Sequence, residues 1–544
     1  MRSFCQRALC NYHPHRLLRL SLILLVGSLG ACKGAEETGH EESPATEPYT
    51  LLVHNSENLF DLDKVAQFDD YEQGEGKPYG PAKLYGKLKN LAAVLQTVQD
   101  GKGPDIIAFQ ELEFDFTPDS TVDDYSAFLK KYDNTTVREM LLENFDENEE
   151  TFRGLPAEAW ILKALHDKGM HGYNVAYLPE PHVGNRLYLE DTRPHVNVVF
   201  SRFPIEDVRA YPIPQAREIQ EVHLNIDGAK LYLFNNHWKS NRGGVEKTEK
   251  MRVKAAKTLR KRLGEIQKQD PQADIIIAGD FNSHYQQSRY HPSMSTTGIN
   301  DILGAQGDEQ KIIEEQTFDI LYSLYYDLPP ERRRSDFYKG RWGTLMNIII
   351  NHNLYDFHGI QYVDNSFRVV EIPGLNVDET WGLPKDWKMS GPYGSGVSDH
   401  LPLLAKFKVI KNDAPDKYLE LKNPGKERKA DTTPLKVNFD NIDKKKLLDP
   451  SQLKTLAPES LYKRYGETFH VQADVNGHNP RYKHPIIQIG SHQLEIYAYD
   501  DKVREKLQNA KVGTTLEFYG KLGEYKGRKQ FVLMDPDWLL KVGD

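Results

Sequence analysis

Short apolar runs that end abruptly in polar residues recur through the first four hundred residues of the chain. The clearest covers residues 275–278, an Ile-Ile-Ile-Ala run that stops at Gly279. A short β-branched run bounded by a turn residue is typical of a central strand with both faces covered. Comparable runs predict further buried strands over 49–53, 105–109, 196–200, 231–234 and 401–407.

Helical spacing separates these predicted strands. In the first predicted helix, apolar residues recur at steps of four and three residues and therefore lie on one face. They are Leu84, Leu88, Leu91, Leu95 and Val98. A second predicted helix, roughly 246–267, has an apolar face made of Val253, Ala256, Leu259, Leu263 and Ile266. Strands that alternate with helices predict an α/β fold, and a length of 544 residues suits two domains.

A change of composition marks the C-terminal part. Residues 409–435 are rich in Lys, Asp, Pro and Asn, lack periodicity and predict a linker. Short strands are then predicted over 469–475, 486–489, 494–499, 514–519 and 530–534, with a helix over 503–510 between the third and fourth. This order resembles the OB-fold, a small all-β barrel. We therefore assign residues 436–544 to an OB-like domain.

The first residues have the pattern of an export signal. Four arginines precede an apolar run at 20–26, too short to span a bilayer comfortably, and a Leu-Gly-Ala-Cys box ends at Cys32. The box resembles a bacterial lipoprotein cleavage site. It implies a signal peptide over 1–31, a lipid on Cys32 and a flexible tether over 32–47. The alternative is a plain secretory signal. Lys33 favours the outer membrane of the cell envelope, on either face, over retention at the inner membrane.

Composition adds two constraints. The other cysteines, Cys5 and Cys10, lie in the segment predicted to be removed, so the exported chain would form no disulfide. The whole chain has a formal net charge of −9, which becomes about −13 without the four arginines of residues 1–31. Residues 411–544 contain 24 Lys and Arg against 20 Asp and Glu, a net charge of +4, so the preceding body is near −17.

Polar side chains stand directly after two of the predicted strands. Asp280 and Asn282 follow the 275–278 strand two residues apart, which puts both on one side of an extended chain. A carboxylate beside an amide is able to activate water, or to hold a metal ion and a phosphate oxygen. The alternative is an ordinary turn. Glu111 follows the 105–109 strand in the same way, and its alternative is an exposed carboxylate at the rim of the domain.

Five motifs occur in order, each at a predicted strand end. They are N-S-E-N-L-F-D at 55–61, P-D-I-I-A-F-Q-E at 104–111, N-H-W-K-S at 236–240, G-D-F-N-S at 279–283 and S-D-H-L-P at 398–402. Together they resemble the endonuclease/exonuclease/phosphatase superfamily, the fold of pancreatic deoxyribonuclease. The resemblance covers residues 48–408. It implies a four-layered α/β sandwich of two packed mixed sheets, with the site where strand ends from both sheets meet.

The resemblance also implies roles for particular residues. A Mg²⁺ or Mn²⁺ ion would be bound by Asn55, Glu111 and Asp399, although Asp399 is also placed to pair with a histidine. Asp280 would position or deprotonate the attacking water and Asn282 would hold a phosphate oxygen. The catalytic set is completed by His237 and His400. Phosphate contacts are expected from Arg193, Lys239, Arg242 and Arg252, with a solvated surface charge as the alternative for each.

One position departs from the family pattern. The family usually carries an aspartate that supports the catalytic histidine, and Met346 occupies that place in the W-G-T-L-M-N-I stretch at 342–348. Asn347 is a neutral substitute, but an amide stabilises a histidinium less well than a carboxylate does. We therefore expect the activity to be reduced or tuned.

These patterns predict a secreted, lipid-anchored, metal-dependent nuclease that cuts DNA or RNA, with no protein partner evident. One alternative is a phosphoesterase of the same fold that acts on phospholipid or inositol phosphate. The other is a catalytically impaired nucleic-acid-binding surface protein. In the OB-like domain, the aromatic residues expected to stack on bases are Tyr482, Tyr497, Tyr499, Phe518, Tyr519 and Tyr525. The basic residues predicted on its loops and last hairpin, and so available to nucleic acid, are Arg481, Lys483, Lys521, Lys526, Arg528 and Lys529. The alternative there is a small barrel with core aromatics and solvated lysines.

Overall fold

The computed structural model describes residues 47–66, 68–115, 122–177, 194–410 and 444–543. The predicted signal peptide, Cys32, Arg193 and most of the predicted linker lie outside these ranges. What the sequence predicts for them, and for the domain boundaries, stays a prediction.

The first part of the chain contains sixteen described strands. They are β1 (Tyr49–Leu59), β2 (Ile106–Glu113), β3 (Asn174–Ala176), β4 (His195–Ser201), β5 (Ile205–Tyr211), β6 (Ile219–Ile226), β7 (Ala229–His237), β8 (Asp274–Asp280), β9 (Ala305–Gln306), β10 (Leu321–Ser323), β11 (Asp336–Tyr338), β12 (Arg341–Gly343), β13 (Met346–Ile350), β14 (Gly359–Tyr362), β15 (Arg368–Val369) and β16 (Leu403–Ile410). The described α-helices of the same part are α1 (Pro81–Gln96), α2 (Tyr125–Lys131), α3 (Val137–Leu142), α4 (Glu149–Arg153), α5 (Ala157–Asp167), α6 (Val245–Gln269), α7 (Gln287–Tyr290) and α8 (Glu309–Glu315).

Most of these strands form two mixed sheets of seven strands each. The first has the order β14-β16-β1-β2-β4-β3, with β15 also paired to β16. The second has the order β5-β6-β7-β8-β13-β10-β9. β1 and β2 run parallel in the first sheet, and β7 and β8 run parallel in the second. Each parallel pair therefore brings two carboxyl ends to the same edge of its sheet.

The apolar residues of the central strands face alternately into two different layers. Leu51 and Val53 pack between the sheets, whereas Leu52 faces the helices that cover the first sheet. Ile276 likewise points between the sheets, and Ile275 packs against α6. Because both faces are covered, these strands read as continuous apolar runs. The predicted four-layered sandwich of two packed mixed sheets is confirmed.

The C-terminal part forms a closed barrel of five strands. The strands are β17 (Thr468–His478), β18 (Pro485–Ile489), β19 (His492–Ala498), β20 (Thr515–Tyr525) and β21 (Arg528–Leu533), with β22 (Leu539–Val542) added on β20. Closure comes from the pairing of β17 with β20. Helix α9 (Asp501–Asn509) lies between the third and fourth strands, as predicted. The predicted small all-β barrel is confirmed.

The barrel packs on the first part of the chain through a shared apolar core. Trp381 packs against Trp538 of the barrel in a tilted arrangement with ring centroids 4.5 Å apart, and Leu383 belongs to the same cluster as the barrel interior. The Lys521 ammonium donates to the carbonyl of Pro384 at 2.8 Å and pairs with Asp386 at 3.1 Å. Lys521 is thus internal, and its predicted nucleic-acid contact is wrong because both of its partners are protein groups.

The base contact predicted for Phe518 is wrong for a similar reason. Its ring is fully buried in the barrel core, so it offers no surface to a base. Among the described residues, no helix has the length and apolar character needed to cross a membrane.

Candidate functional site

Four strand ends from the two sheets meet at one edge of the sandwich. Asn55 lies near the end of β1 and Glu111 near the end of β2. His237 and Asp280 are the last residues of β7 and β8 and stand opposite each other in register. The sandwich therefore unites motifs that are more than two hundred residues apart.

The backbone is irregular where these strands end. The register of β1 against β2 shifts between Asn55 and Leu59, and Glu111 adopts a φ of 62°. Gly279 has a φ of 132°, and a Cβ there would lie 2.1 Å from the carbonyl oxygen of Asn236. Only glycine fits that approach. Left-handed conformations in non-glycine residues are strained and concentrate at functional sites.

Three potential metal ligands converge at this edge. The His237 Nε2 atom lies 3.6 Å from Glu111 Oε1 and 3.5 Å from Asp280 Oδ2. One ligand atom from each of the three residues falls within 4.8 Å of the other two. The Asn55 amide donates at 3.1 Å to both carboxylates and so holds them together. We call Glu111, His237 and Asp280 the strand-end cluster. Two carboxylates and an imidazole fit a divalent metal ion.

Two predicted metal ligands have different positions. The Oδ1 atom of Asn55 accepts from the amide of Glu57 at 2.9 Å, which leaves its N–H groups facing the carboxylates. Asp399 is 54% exposed at its side chain and lies 3.9 Å from His400 Nε2. Neither presents an oxygen to the strand-end cluster, so their predicted ligation stays a prediction.

A second histidine borders the cluster and was missed by the sequence analysis. His195, on β4, stacks on His237 with ring centroids 6.3 Å apart. Arg217 approaches His195 Nδ1 at 3.1 Å, and His195 Nε2 lies 2.8 Å from the side-chain oxygen of Asn58. Since arginine only donates, the proton of a neutral His195 sits on Nε2. Burial and Arg217 together lower the pKa of His195 to about 4.

The charge of Glu111 follows from these neighbours. Burial raises the pKa of this carboxyl, but His195 and the Arg217 guanidinium outweigh the effect, so the pKa lies below its ordinary value. For Asp280, burial dominates and raises the pKa to about 6. Asp280 Oδ1 accepts a hydrogen bond from the backbone amide of Asn282 at 2.8 Å, which orients the carboxylate.

His400 also lies close to Asp280. Its Nε2 atom lies 3.8 Å from Asp280 Oδ2. Burial by itself lowers the pKa of His400. The carboxylates of Asp399, Asp280 and Asp336 outweigh burial and raise the pKa to about 9. His400 is therefore a cation at neutral pH in this arrangement.

Asp336 is the carboxylate that the sequence analysis did not find. It opens β11 and forms an antiparallel β-bridge with His400, so the two side chains lie on one side of the bridge. Its Oδ1 atom accepts from Ser335 Oγ at 2.9 Å and from the amide of Leu345 at 3.0 Å. Asp336 lies ten positions before Met346, the residue that occupies the place expected for a carboxylate supporting the catalytic histidine.

Met346 and Asn347 have structural contacts away from His400. Met346 is fully buried in the core between the sheets. The side-chain oxygen of Asn347 accepts from Ser323 Oγ at 3.0 Å. The predicted substitution of the aspartate by Asn347 is therefore not supported, because this amide oxygen is engaged within the second sheet.

The predicted phosphate contacts divide into two groups. Lys239 is half-buried and Arg242 exposed in the loop after His237, where both remain candidates. Arg252 is fully buried. Its guanidinium pairs with Glu249 at 2.8 Å and donates to the carbonyls of Lys239 and Val245. The phosphate contact predicted for Arg252 is wrong, because its guanidinium N–H groups bind protein acceptors in the loop and do not face a substrate.

Asn282 lies beside this loop. It adopts a φ of 49°, and its side-chain amide donates to the backbone carbonyl of Trp238 at 3.2 Å. Because a phosphoryl oxygen is an acceptor, the contact predicted for Asn282 requires the second N–H of this side-chain amide, and it stays a prediction.

Residues 195–409 match the model of the Endonuclease/Exonuclease/phosphatase family. This match agrees with the resemblance carried by the five motifs. It includes His237, Asp280 and His400, whereas Asn55 and Glu111 precede it. No curated protein matches the chain.

Three solved structures illustrate the similarity found by structure comparison. TDP2 from C. elegans has 13% identity and a TM-score of 0.32, with 66% of this chain and 75% of that chain covered. An endonuclease/exonuclease/phosphatase family protein from Leptotrichia buccalis has 14% identity and a TM-score of 0.38, with 66% and 99% covered. The human Nocturnin catalytic domain has 15% identity and a TM-score of 0.32, with 66% and 93% covered.

The geometry predicts which carboxylates hold a metal ion. Glu111→Gln should weaken Mn²⁺ binding at least about tenfold, because it removes a charged ligand from the strand-end cluster. Asp399→Asn should leave the affinity close to that of the wild type. Electron paramagnetic resonance of free Mn²⁺ during titration measures both. Equal losses in the two variants would return Asp399 to the metal site.

Proposed function

We propose that this protein is a metal-dependent phosphodiesterase that hydrolyses nucleic acid. The observation that carries the proposal is the convergence of the strand-end cluster with Asn282 and His400 at the edge shared by both sheets. The family matched over 195–409 is named for endonucleases, exonucleases and phosphatases, all of which hydrolyse phosphoester bonds. Mg²⁺ and Mn²⁺ are the candidate ions, because both accept carboxylate ligands and retain bound waters.

The chain's own residues suit the steps of that reaction. Asp280, oriented by the amide of Asn282, would hold the attacking water and take its proton. His400, charged and facing Asp280, would stabilise negative charge that develops on the phosphoryl oxygens. A divalent ion at the strand-end cluster would supply further charge neutralisation. Asn282 would position a phosphoryl oxygen through its side-chain amide group.

The barrel supports a nucleic acid as the substrate. Tyr482 is 40% exposed and Tyr525 is 53% exposed. Arg528 lies over both rings, and Arg481 lies over Tyr482. We call these four residues the aromatic–cationic face. Exposed aromatic rings beside cations are the features with which proteins bind single-stranded nucleic acid. The acidic body, near −17, offers no comparable long-range attraction.

The first test measures hydrolysis directly. With Mg²⁺ or Mn²⁺, the purified protein should degrade DNA or RNA. Asp280→Asn should lower the rate at least ~10²-fold while the melting temperature stays near wild type, since a proton acceptor is lost without loss of volume. A time course on circular DNA, linear DNA and RNA also distinguishes internal cutting from cutting at ends.

Other outcomes of this assay favour the alternatives. Turnover of a phospholipid or inositol phosphate with intact DNA and RNA would replace the proposed substrate. Absence of hydrolysis on every phosphoester would favour the alternative of a catalytically impaired nucleic-acid-binding surface protein. A near wild-type rate for Asp280→Asn would remove the role assigned to Asp280.

Asp336 is predicted to act through His400. Asp336→Asn should reduce kcat by about tenfold or more, because the imidazolium loses a facing carboxylate. In a His400→Ala background the same change should have little further effect, since residues that act as a unit are not additive. Rates of the wild type, both single variants and the double variant test this coupling. An equal loss in both backgrounds would leave Asp336 with only a structural role.

The aromatic–cationic face is predicted to bind long substrates. Tyr482→Ala combined with Tyr525→Ala should raise KM for long single-stranded nucleic acid at least about tenfold, because stacking contributes roughly 1–3 kcal/mol per base. Cleavage of a small phosphodiester should not change. Val512→Ala, an exposed apolar residue of the same barrel, is the matched control.

Point variants are preferred here to removal of the barrel, which would expose Trp381 and Leu383. The difference in KM should shrink as salt rises, because counterion release contributes to binding. Unchanged KM values on every long substrate would leave the barrel as a structural domain.

We also propose that the enzyme is lipid-anchored through Cys32 in the outer membrane of a bacterial cell envelope. Support comes from the export pattern of residues 1–31 and the box that ends at Cys32. Labelling of cells with palmitate should mark the wild-type protein and not Cys32→Ser. Equal labelling of both would exclude the anchor.

A further inference from the structure

A second group of carboxylates lies between the edges of the two sheets. Glu309 opens helix α8, Asp327 ends the turn Leu324–Asp327 after β10, and Asp364 follows β14. One oxygen from each carboxylate lies within 4.8 Å of the other two. All three residues are buried, with exposures of 3%, 8% and 5%. β10 belongs to the second sheet and β14 to the first, so this group joins elements of both.

Tyrosine hydroxyls satisfy only part of the group. Tyr322 and Tyr362 donate to the two oxygens of Asp327, at 2.7 and 2.5 Å. Tyr355 donates to Glu309 Oε1 at 2.8 Å. A side-chain hydrogen bond between Glu309 and Asp364 requires that one of the two carboxyls carries a proton. When both are ionised, the other oxygen, Glu309 Oε2, is buried without a donor among the described residues. A buried carboxylate oxygen without a donor is costly, so this atom points to a missing partner.

The charges of the group have the same sign. The ionisable acids that act on Glu309 are Asp364 and Asp327, so each negative charge destabilises the others. Asp327 also accepts a hydrogen bond from the backbone amide of Asn365, so three of the four lone pairs on its oxygens are used and one remains. Three carboxylates that present oxygen alone match the ligands of a hard divalent cation.

We propose that Glu309, Asp327 and Asp364 bind a structural divalent cation of the calcium class. Ca²⁺ is bound by oxygen at about 2.3–2.6 Å, so oxygens on opposite sides of the ion stand about 5 Å apart, which suits the observed separation. The ion would link α8, the turn after β10 and the segment after β14. It would therefore fasten the edges of the two sheets together. None of its ligands belongs to the strand-end cluster, and the proposal does not depend on hydrolytic activity.

The test uses the full-length protein with Glu111→Gln, which impairs the strand-end cluster so that one cation site remains in question. After treatment with chelator, Ca²⁺ at about 100 times its Kd should raise the melting temperature by roughly 3 °C. Tb³⁺, a luminescent substitute for Ca²⁺, should bind and show emission sensitised by the nearby tyrosines. Adding Ca²⁺ should displace it.

Glu309→Gln in the same background should abolish both the Ca²⁺-dependent shift and the sensitised emission. Glu315→Gln, an exposed carboxylate on the same helix, is the matched control and should preserve both. If Glu309→Gln does not fold, the shift in the parent and its loss in Asp364→Asn still decide the question.

Two results would overturn the proposal. The first is a melting temperature of the parent protein that Ca²⁺ and Mg²⁺ leave unchanged. The second is Tb³⁺ emission that survives in Glu309→Gln. Either result would mean that the three carboxylates share a proton instead of a cation. A shift with Mg²⁺ alone would overturn the calcium assignment.

Discussion

The site depends on a single side-chain amide that bridges the two sheets. Asn55 lies on the first sheet and donates to Glu111 of that sheet and to Asp280 of the second, both at 3.1 Å. One layer deeper, the Gln110 amide donates to the side-chain oxygen of Asn235 at 2.6 Å. The apolar core between the sheets thus ends in a layer of amides. These amides satisfy buried polar groups where two carboxylates must approach each other.

A second carboxylate, Glu57, fixes the end of β1 to another part of the chain. Glu57 Oε2 accepts from the amides of Trp387 and Asp399, at 2.6 and 2.8 Å. The end of β1 is thereby fixed to the segment that precedes β16. The barrel also contacts this segment, through the ion pair of Lys521 with Asp386. The barrel is therefore connected by direct contacts to the backbone that carries Asp399 and His400, and it is more than a domain attached by a linker.

The corrected predictions share a physical cause. Arg252, Lys521 and Phe518 were assigned to a substrate because their residue types suit phosphate or bases. Each turned out to be buried, where an arginine or lysine must find protein acceptors and an aromatic ring fills the core. Residue type indicates what a side chain is able to do, whereas burial decides whether a ligand can reach it. Asp336 shows the reverse case. Its sequence context is unremarkable, and only the β-bridge to His400 places it in the site.

Local patterns in the chain were enough to predict the strands, the helices and part of the site. Apolar runs and helical spacing are local patterns, and each reports which face of an element is buried. Polar residues directly after predicted strands pointed to Glu111 and Asp280 in the same way, whereas His237 and His400 were inferred from the resemblance of their motifs to a known family. Tertiary structure decided which of these side chains meet, because strand order sets that across hundreds of residues. It alone disclosed His195 with Arg217, the pairing of Asp336 with His400, the docked barrel and the carboxylates of Glu309, Asp327 and Asp364. Those residues lie on different elements and share no local pattern.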